Sequence, residues 1–142
     1  MDSIFVVGID VGGQTSKIGV VNARGTVLAQ TVIRTDTYDQ VEPYIAELAE
    51  AVRKLIAEAG VEGKVRGIGV GAPNGNYYTG TIENAPNLLW GRQRVEFSKL
   101  LSEAMDGLPV ALTNDANAAA VGEMTYGAAR GMKNFIMITL GT

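Results

Sequence analysis

The sequence predicts an α/β domain in which a mixed sheet carries helices on both faces. Three consecutive segments rich in Val, Ile and Thr, joined by short turns, indicate an antiparallel meander at the start of the chain. Strand and helix patterns alternate after the meander, and the parallel strands of one sheet need such crossover helices. The predicted order is therefore βββαβαβα, with one extra strand at the C-terminal end.

The predicted meander occupies the first part of the chain. The run Ile4–Ile9 is almost continuously apolar, which indicates a strand that is covered on both faces. Ser16–Val21 and Thr26–Ile33 follow as two further strands, and the residues between them predict a turn. Short connections of this kind join antiparallel neighbours.

An amphipathic helix is predicted after the meander. Apolar residues recur at spacings of three and four from Val41 to Ile56, which is the period of one helix face. Asp39 and Glu42 resemble a capping box at its start, and Gly60 marks its end.

The second half of the chain shows the alternating pattern. A strand at Val65–Gly71 leads into a long loop rich in Asn, Gly and Pro. A helix at Phe97–Met105 and a strand at Val110–Leu112 come next, and Asn114 opens a third helix.

The final apolar segment, Phe135–Leu140, is a leftover strand. No helix or further strand follows to cover it, which is unusual for a finished domain. We therefore expect residues 1–133 to form the N-terminal small domain of a larger protein and residues 134–142 to supply the first strand of a second domain.

Composition narrows the chemistry that these elements can carry. Of the 142 residues, 46% are hydrophobic and 19% are charged, a balance typical of a compact domain. The chain has no Cys and no His, which excludes disulfides, thiol nucleophiles and imidazole bases. Any chemistry must use carboxylates, amides, hydroxyls, Lys or backbone groups.

Charge and hydropathy argue against two kinds of partner. Twelve basic and fifteen acidic residues give a formal charge of −3 without a long basic run, so we expect no nucleic-acid partner. No apolar stretch reaches the roughly 18 residues that a membrane-spanning helix needs. The first residues lack the basic start of a signal peptide, which predicts no membrane partner and a cytoplasmic location.

The turn between the first two strands has the residues of a phosphate-binding segment. Gly12 and Gly13 let backbone N–H groups approach an anion, and Lys17 adds a positive charge. Asp10, at the end of the first strand, is suited to hold Mg²⁺ through water. An ordinary hairpin with two glycines explains the same residues, and neither a P-loop nor a Rossmann fingerprint fits, because a strand follows the turn.

An amide and a carboxylate stand together where the strand Val110–Leu112 passes into the third helix. Asn114 and Asp115 occupy or adjoin the predicted helix N-cap, which holds both side chains on one backbone corner. In a phosphotransferase, Asp at such a corner can accept the proton of an attacking hydroxyl, and Asn can orient that hydroxyl. A simple Asp cap is the alternative interpretation.

The loop from Gly71 to Gln93 has the composition of a sugar-contacting surface. It contains four asparagines and three aromatic residues: Asn74, Asn76, Asn84, Asn87, Tyr77, Tyr78 and Trp90. Neutral amides and aromatic faces suit a neutral ligand with many hydroxyl groups. Any turn-rich surface loop is also rich in Asn, Gly and Pro, so both interpretations stay open here.

Together these segments resemble the N-terminal half of a ROK-family sugar kinase of the glucokinase type. The resemblance extends over essentially the whole chain and rests on four motifs: Asp10-x-Gly12-Gly13-x-x-x-Lys17, Asn84-Ala85-Pro86-Asn87-Leu88, Asn114-Asp115-Ala116-Asn117-Ala118-Ala119 and Leu140-Gly141-Thr142. It implies an RNase H-like (actin-like ATPase) fold, whose first domain has the element order predicted above.

The resemblance also implies roles for individual residues. Asp115 would be the general base for the sugar hydroxyl, with Asn114 binding neighbouring hydroxyls, and the sugar pocket would be lined by Gly71, Asn84 and Asn87. The implied phosphate and ATP contacts are Asp10, Gly12, Gly13, Gln14, Thr15, Lys17, Gly141 and Thr142, with Mg²⁺ held by Asp10 through water. Gln14 departs from the family pattern, which usually has Thr at that place, and Thr15 comes one position later.

The implied activity is ATP-dependent phosphorylation of the 6-hydroxyl of glucose or a related hexose by the full-length protein. Family members continue into a second domain that completes the nucleotide site and can hold zinc, so the isolated chain is expected to be inactive. The resemblance implies a dimer. The alternatives are a non-catalytic sugar-binding or assembly module, suggested by the leftover strand, and a sugar-responsive repressor, which is disfavoured because no DNA-binding helices precede the first strand.

Overall fold

The structure, a computed structural model, describes residues 5–22, 26–76 and 78–114 of the chain. The elements in these residues are β1 (Phe5–Val11), β2 (Thr15–Asn22), β3 (Val27–Arg34), α1 (Val41–Ala59), β4 (Val65–Ala72), β5 (Gly75–Asn76), β6 (Thr81–Ile82), α2 (Phe97–Ala104) and β7 (Val110–Asn114). Within those ranges, neither helix is long and apolar enough to cross a bilayer.

Five of the strands form one mixed sheet in the order β3-β2-β1-β4-β7. β2 pairs antiparallel with both β1 and β3, whereas β1 with β4 and β4 with β7 are parallel pairs. This arrangement confirms the predicted meander and the predicted crossovers through helices. The strand β7 extends to Asn114, beyond its predicted end at Leu112.

Both described helices pack together against one face of the sheet. Leu48 of α1 and Leu101 of α2 are fully buried there together with Ile9 of β1. The rest of the helical content expected from the sequence, the third helix after Asn114, lies outside the described residues. The strand predicted at Phe135–Leu140 and the boundary between residues 133 and 134 lie outside them as well.

The opposite face of the sheet has almost no side chains at its centre. Because side chains alternate along a strand, the residues between the core positions of β1 face this side. Neighbours in register across four strands form a row of small residues, which consists of Gly19, Gly8, Gly69 and Ala111. The three glycines of the row are buried.

The start of α1 differs from its prediction, and its end agrees. Gln40 is the N-cap residue and no side chain caps the first turn, so the predicted capping box of Asp39 and Glu42 is wrong. The helix continues to Ala59 and ends at Gly60, whose left-handed conformation lets its N–H donate to the carbonyls of the last turn.

The loop after β4 contains a hairpin that the sequence pattern did not predict. β5 and β6 have two residues each and pair antiparallel, and Ile82 forms a further bridge with Val95. Strands this short have no alternation to recognise. Positive φ angles turn the backbone at Asn74 (59°), before β5, and at Gly80 (70°), between β5 and β6.

Gly60 provides a test of how α1 ends. Its φ of 72° is left-handed, and no atom lies within 4 Å of the place where a Cβ would stand, so backbone strain alone penalises a side chain. We expect Gly60→Ala to lower the free energy of unfolding by about 1 kcal/mol. Gly60→Asn is expected to lower it less, because Asn tolerates this conformation. Urea denaturation measures both losses, and equal losses would contradict this explanation.

Candidate active site

The carboxyl ends of three parallel strands meet at one edge of the sheet. Asp10 of β1 is in register with Gly71 of β4, and Ala72 of β4 is in register with Asn114 of β7. On the other side of β1, Asp10 faces Lys17 of β2. Ligands of open α/β sheets bind outside the carboxyl ends of the strands, so these predicted residues share a suitable place.

The turn between β1 and β2 is closed by its own backbone. The N–H of Gly12 donates to the carbonyl of Thr15 over 2.9 Å, and a Cβ on Gly12 would lie 2.8 Å from that oxygen. The carbonyl of Gln14 accepts a hydrogen bond of 2.9 Å from the N–H of Thr35, which follows β3. The side chain of Gln14 is exposed, and Thr15 starts β2.

Burial raises the pKa of the Asp10 carboxyl above its ordinary value of 3.8, and the positive charge of Lys17 opposes this shift. Asp10 lies on the sheet face that is opposite the core, next to the exposed Lys17. In the described part of the chain no side chain hydrogen-bonds to the carboxylate. Its oxygens can therefore accept hydrogen bonds from the water shell of a cation.

The segment from Asn84 to Gly91, here called the sugar loop, is held in one conformation by backbone hydrogen bonds. Ala85 N–H donates to the Gly91 carbonyl over 2.8 Å, and Gly91 N–H donates to the Leu88 carbonyl over 2.9 Å. Asn84 and Asn87 are exposed on this frame. Their amides are thus presented to solvent near the edge of the sheet without needing to be ordered by a ligand.

Two other asparagines of the predicted sugar-contacting surface stabilise the loop instead. The amide of Asn74 donates to the carbonyls of Glu83, at 3.1 Å, and Asn84, at 2.8 Å. The side-chain oxygen of Asn76 accepts hydrogen bonds from the backbone of the turn that follows it. Turn formation, the alternative interpretation of this composition, therefore explains Asn74 and Asn76.

The two described aromatic residues of the loop, Tyr78 and Trp90, differ in exposure. Trp90 is 5% exposed, and its ring stacks on Tyr44 of α1 at 4.7 Å between centroids and on Phe97 of α2 at 5.9 Å. Tyr78 is 79% exposed at the hairpin turn, and Tyr77 lies outside the described residues. Trp90 thus anchors the sugar loop to the core and does not offer a face to a ligand.

The sugar loop and the β1–β2 turn are in direct contact. A Cβ on Gly13 would lie 3.0 Å from the carbonyl oxygen of Asn87 and 3.4 Å from its Cβ. Neither Gly12 nor Gly13 has a left-handed φ, so space and not conformation disfavours a side chain at both positions. The contact joins the two segments that the sequence assigned to phosphate and to sugar.

Several predicted site residues lie outside the described part of the chain: Asp115, Gly141 and Thr142. The described strand β7 ends at Asn114, which is the residue before Asp115. Sequence reasoning missed Ser16, Thr35 and Tyr44, whose hydroxyl groups are buried together below the β1–β2 turn. Their residue types give no pattern along the chain that indicates such a cluster.

Comparison with known proteins matches residues 6–142 to the ROK family. The chain is 36% identical over 139 residues to a glucokinase of Streptomyces coelicolor and 38% identical over 144 residues to a glucokinase of Halalkalibacterium halodurans. These alignments cover 97% and 100% of the chain but only 41% and 43% of the relatives. A xylose repressor of Caldicellulosiruptor bescii is 29% identical over 96% of the chain.

Solved structures agree with this assignment. A ROK hexokinase from Thermus thermophilus superposes with a TM-score of 0.69 at 39% identity, over 89% of this chain and 40% of that one. A ROK family glucokinase from Streptomyces griseus in complex with glucose and AMPPNP superposes with a TM-score of 0.62 at 30% identity, over 89% and 38%. The chain thus has the fold of these kinases and spans about two fifths of their length.

Gly13→Ala tests the contact between the turn and the sugar loop. The added Cβ would stand 3.0 Å from the Asn87 carbonyl, so we expect the loop to be pushed away and its hydrogen-bonded amides to exchange faster. Hydrogen exchange at Ala85, Leu88 and Gly91 measures this effect. Gly63→Ala is the control, because its φ of 78° adds strain where no atom lies within 4 Å. Equal acceleration in both variants would count against the contact.

Asp10→Asn tests the electrostatics of the site. Because the pKa of Asp10 is raised in the folded state, its ionised form destabilises folding at neutral pH. We expect Asp10→Asn to raise Tm at pH 7, and the gain to shrink as the pH falls through the raised pKa and vanish below the ordinary value of 3.8. The control is Asp36→Asn, where Arg34 lowers the carboxyl pKa, so the sign at pH 7 is opposite. A lower Tm for Asp10→Asn at pH 7 would contradict the raised pKa of Asp10.

Proposed function

The chain belongs to the ROK family, and we propose that it forms the N-terminal domain of an ATP-dependent sugar kinase. The complete protein would transfer the γ-phosphoryl group of ATP to the 6-hydroxyl of glucose or a related hexose. One observation carries this proposal: the turn suited to phosphate touches the loop suited to sugar, at Gly13 and Asn87. The identities of 36% and 38% to glucokinases support the same reaction.

In the proposed reaction Asp115 is the general base. It accepts the proton of the 6-hydroxyl while that oxygen bonds to the γ-phosphorus and the bond from phosphorus to the ADP oxygen breaks. Asn114 binds neighbouring sugar hydroxyls, and Asn84 and Asn87 meet the sugar from the loop. The end of β7 at Asn114 supports the pairing of these two roles, since Asp115 is the next residue.

The β1–β2 turn would receive the phosphates. The N–H of Gly12 is donated to Thr15, and the remaining backbone N–H groups of the turn suit anionic oxygens. Lys17 supplies positive charge, and the close approaches at Gly12 and Gly13 leave no side chain in the way. Gln14 is exposed beside them and Thr15 follows in β2, so either is available to the phosphates. Gly141 and Thr142 would contribute from a second phosphate loop, which a further domain completes on closing over the substrates.

The residues of the turn fit a magnesium ion held through water. Mg²⁺ prefers one or two carboxylates together with waters and phosphate oxygens, and Asp10 offers one carboxylate without a protein hydrogen bond in the described residues. Among the described residues, no three or more His, Cys, Asp or Glu side chains are grouped so that they could coordinate a metal ion directly. When bound, the ion neutralises charge on the transferred phosphoryl group.

A sugar-responsive regulator is the second candidate function. The identity of 29% to a xylose repressor over 96% of the chain favours it, because that protein shares the same domain. The two candidates differ in chemistry, since a regulator needs sugar binding without phosphoryl transfer. Measurable ATP-dependent phosphorylation of a sugar by the complete protein would favour the kinase over the regulator.

Asp115→Asn in the complete protein tests the general base. The amide cannot accept the proton, so we expect kcat for glucose to fall by about 10²-fold or more while glucose still binds. Coupled-enzyme kinetics and calorimetry measure the two quantities. Asp106→Asn is the matched control, because this exposed residue precedes the opposite end of β7. A rate within about threefold of wild type would remove Asp115 from this role.

A further inference from the structure

Three buried hydroxyl groups form a cluster below the β1–β2 turn. The Ser16 hydroxyl lies 2.6 Å from the Thr35 hydroxyl and 2.6 Å from the Tyr44 hydroxyl. Ser16 and Tyr44 are fully buried, and Thr35 is 1% exposed. Hydroxyl groups are costly to bury without partners, and here each one has a partner within the cluster.

Two members of the cluster are attached to the candidate phosphate turn. Ser16 follows Thr15, the residue that closes the turn through its carbonyl. Thr35 donates its backbone N–H to the carbonyl of Gln14. A shift of the turn therefore moves the partners of the Tyr44 hydroxyl.

The other end of Tyr44 is attached to the sugar loop. Its ring stacks on Trp90 with an interplanar angle of 23° at 4.7 Å, and Trp90 adjoins Gly91, which closes the loop. The indole N–H of Trp90 is buried and has no hydrogen-bond partner in the described residues. The Trp90 ring is therefore held by packing against Tyr44 and Phe97, and a shift of the Tyr44 ring changes this packing.

We propose that Tyr44, held between the Ser16 hydroxyl and the Trp90 ring, is a positioning residue that couples the phosphate turn to the sugar loop. Occupation of the turn by an anion changes the environment of Trp90, and each substrate of the complete protein binds more tightly when the other is bound. The mutual tightening of substrate binding rests on the proposed function, whereas the effect of an anion on Trp90 does not. Coupling of this kind is reciprocal, because it is a free energy shared by two sites.

Trp90 makes the coupling observable, since it is the one tryptophan of the sequence. Inorganic tripolyphosphate is the probe for the turn, and it is titrated into the 142-residue chain while tryptophan emission is recorded. We expect a saturable change in emission for the wild-type chain. We expect Tyr44→Phe and Ser16→Ala to lose that change, although calorimetry still detects tripolyphosphate binding to both.

Tyr38→Phe is the matched control. It removes the hydroxyl of a neighbouring tyrosine, which bonds to Glu47 and not to the hydroxyl cluster, and it keeps the ring that lies 6.2 Å from that of Tyr44. This variant is expected to keep the wild-type emission change. If wild-type emission does not respond to tripolyphosphate, or if Tyr44→Phe responds as wild type does, the proposal is wrong.

Kinetics of the complete protein give the second measurement. The wild-type KM for glucose is expected to fall when ATP is raised to saturation. We define the coupling ratio as the KM for glucose at low ATP divided by the KM at saturating ATP. Tyr44→Phe should reduce this ratio by about fivefold, because it loses one buried hydrogen bond. A variant with lower Tm and an unchanged ratio would show a merely structural role and overturn the coupling. Absence of any kinase rate in wild type would refute the proposed function, while the emission response would still decide the coupling.

Discussion

The candidate site depends on close contacts between backbone segments, which glycines allow because they have no side chain. The turn after β1 closes on the Thr15 carbonyl at Gly12, the sugar loop rests on the turn at Gly13, and the β5–β6 hairpin starts at Gly75, where a Cβ would lie 2.5 Å from the Thr113 carbonyl. Each approach fixes one segment against the backbone of another. The parallel register then brings the ends of β1, β4 and β7 to one edge of the sheet, so the three segments lie together there.

The apolar core and the carboxylate of Asp10 lie on different faces of the sheet. The helix face holds the continuous apolar cluster, whereas Asp10 is half-buried on the other face at a cost to its ionised form. A carboxylate kept under such conditions is typical of functional sites, since folding alone would favour its replacement. The buried hydroxyls of Ser16 and Tyr44 connect the two regions, because they belong to the core and lie below the turn.

Long elements were predictable and short ones were not. The meander and α1 extend over enough residues to show a period, while β5 and β6 have two residues each and depend on the turns at Asn74 and Gly80. The site motifs were predictable as residues because they are contiguous. The burial of Trp90 was not, since an aromatic ring in a polar loop shows no sign in the sequence of whether it faces a ligand or stacks on a distant helix.

The row of small residues on the sheet face opposite the helices determines the surroundings of Asp10. Its neighbours on that face along β1 and across to β4 are Gly8 and Gly71, which have no side chains, and its partner in β2 is Lys17. A glycine can neither donate a side-chain hydrogen bond nor screen a charge, so in the described sheet both carboxylate oxygens are uncommitted. Within the described residues, the absence of Cβ atoms around Asp10 thus leaves its carboxylate as an acceptor for a ligand or the water shell of a ligand.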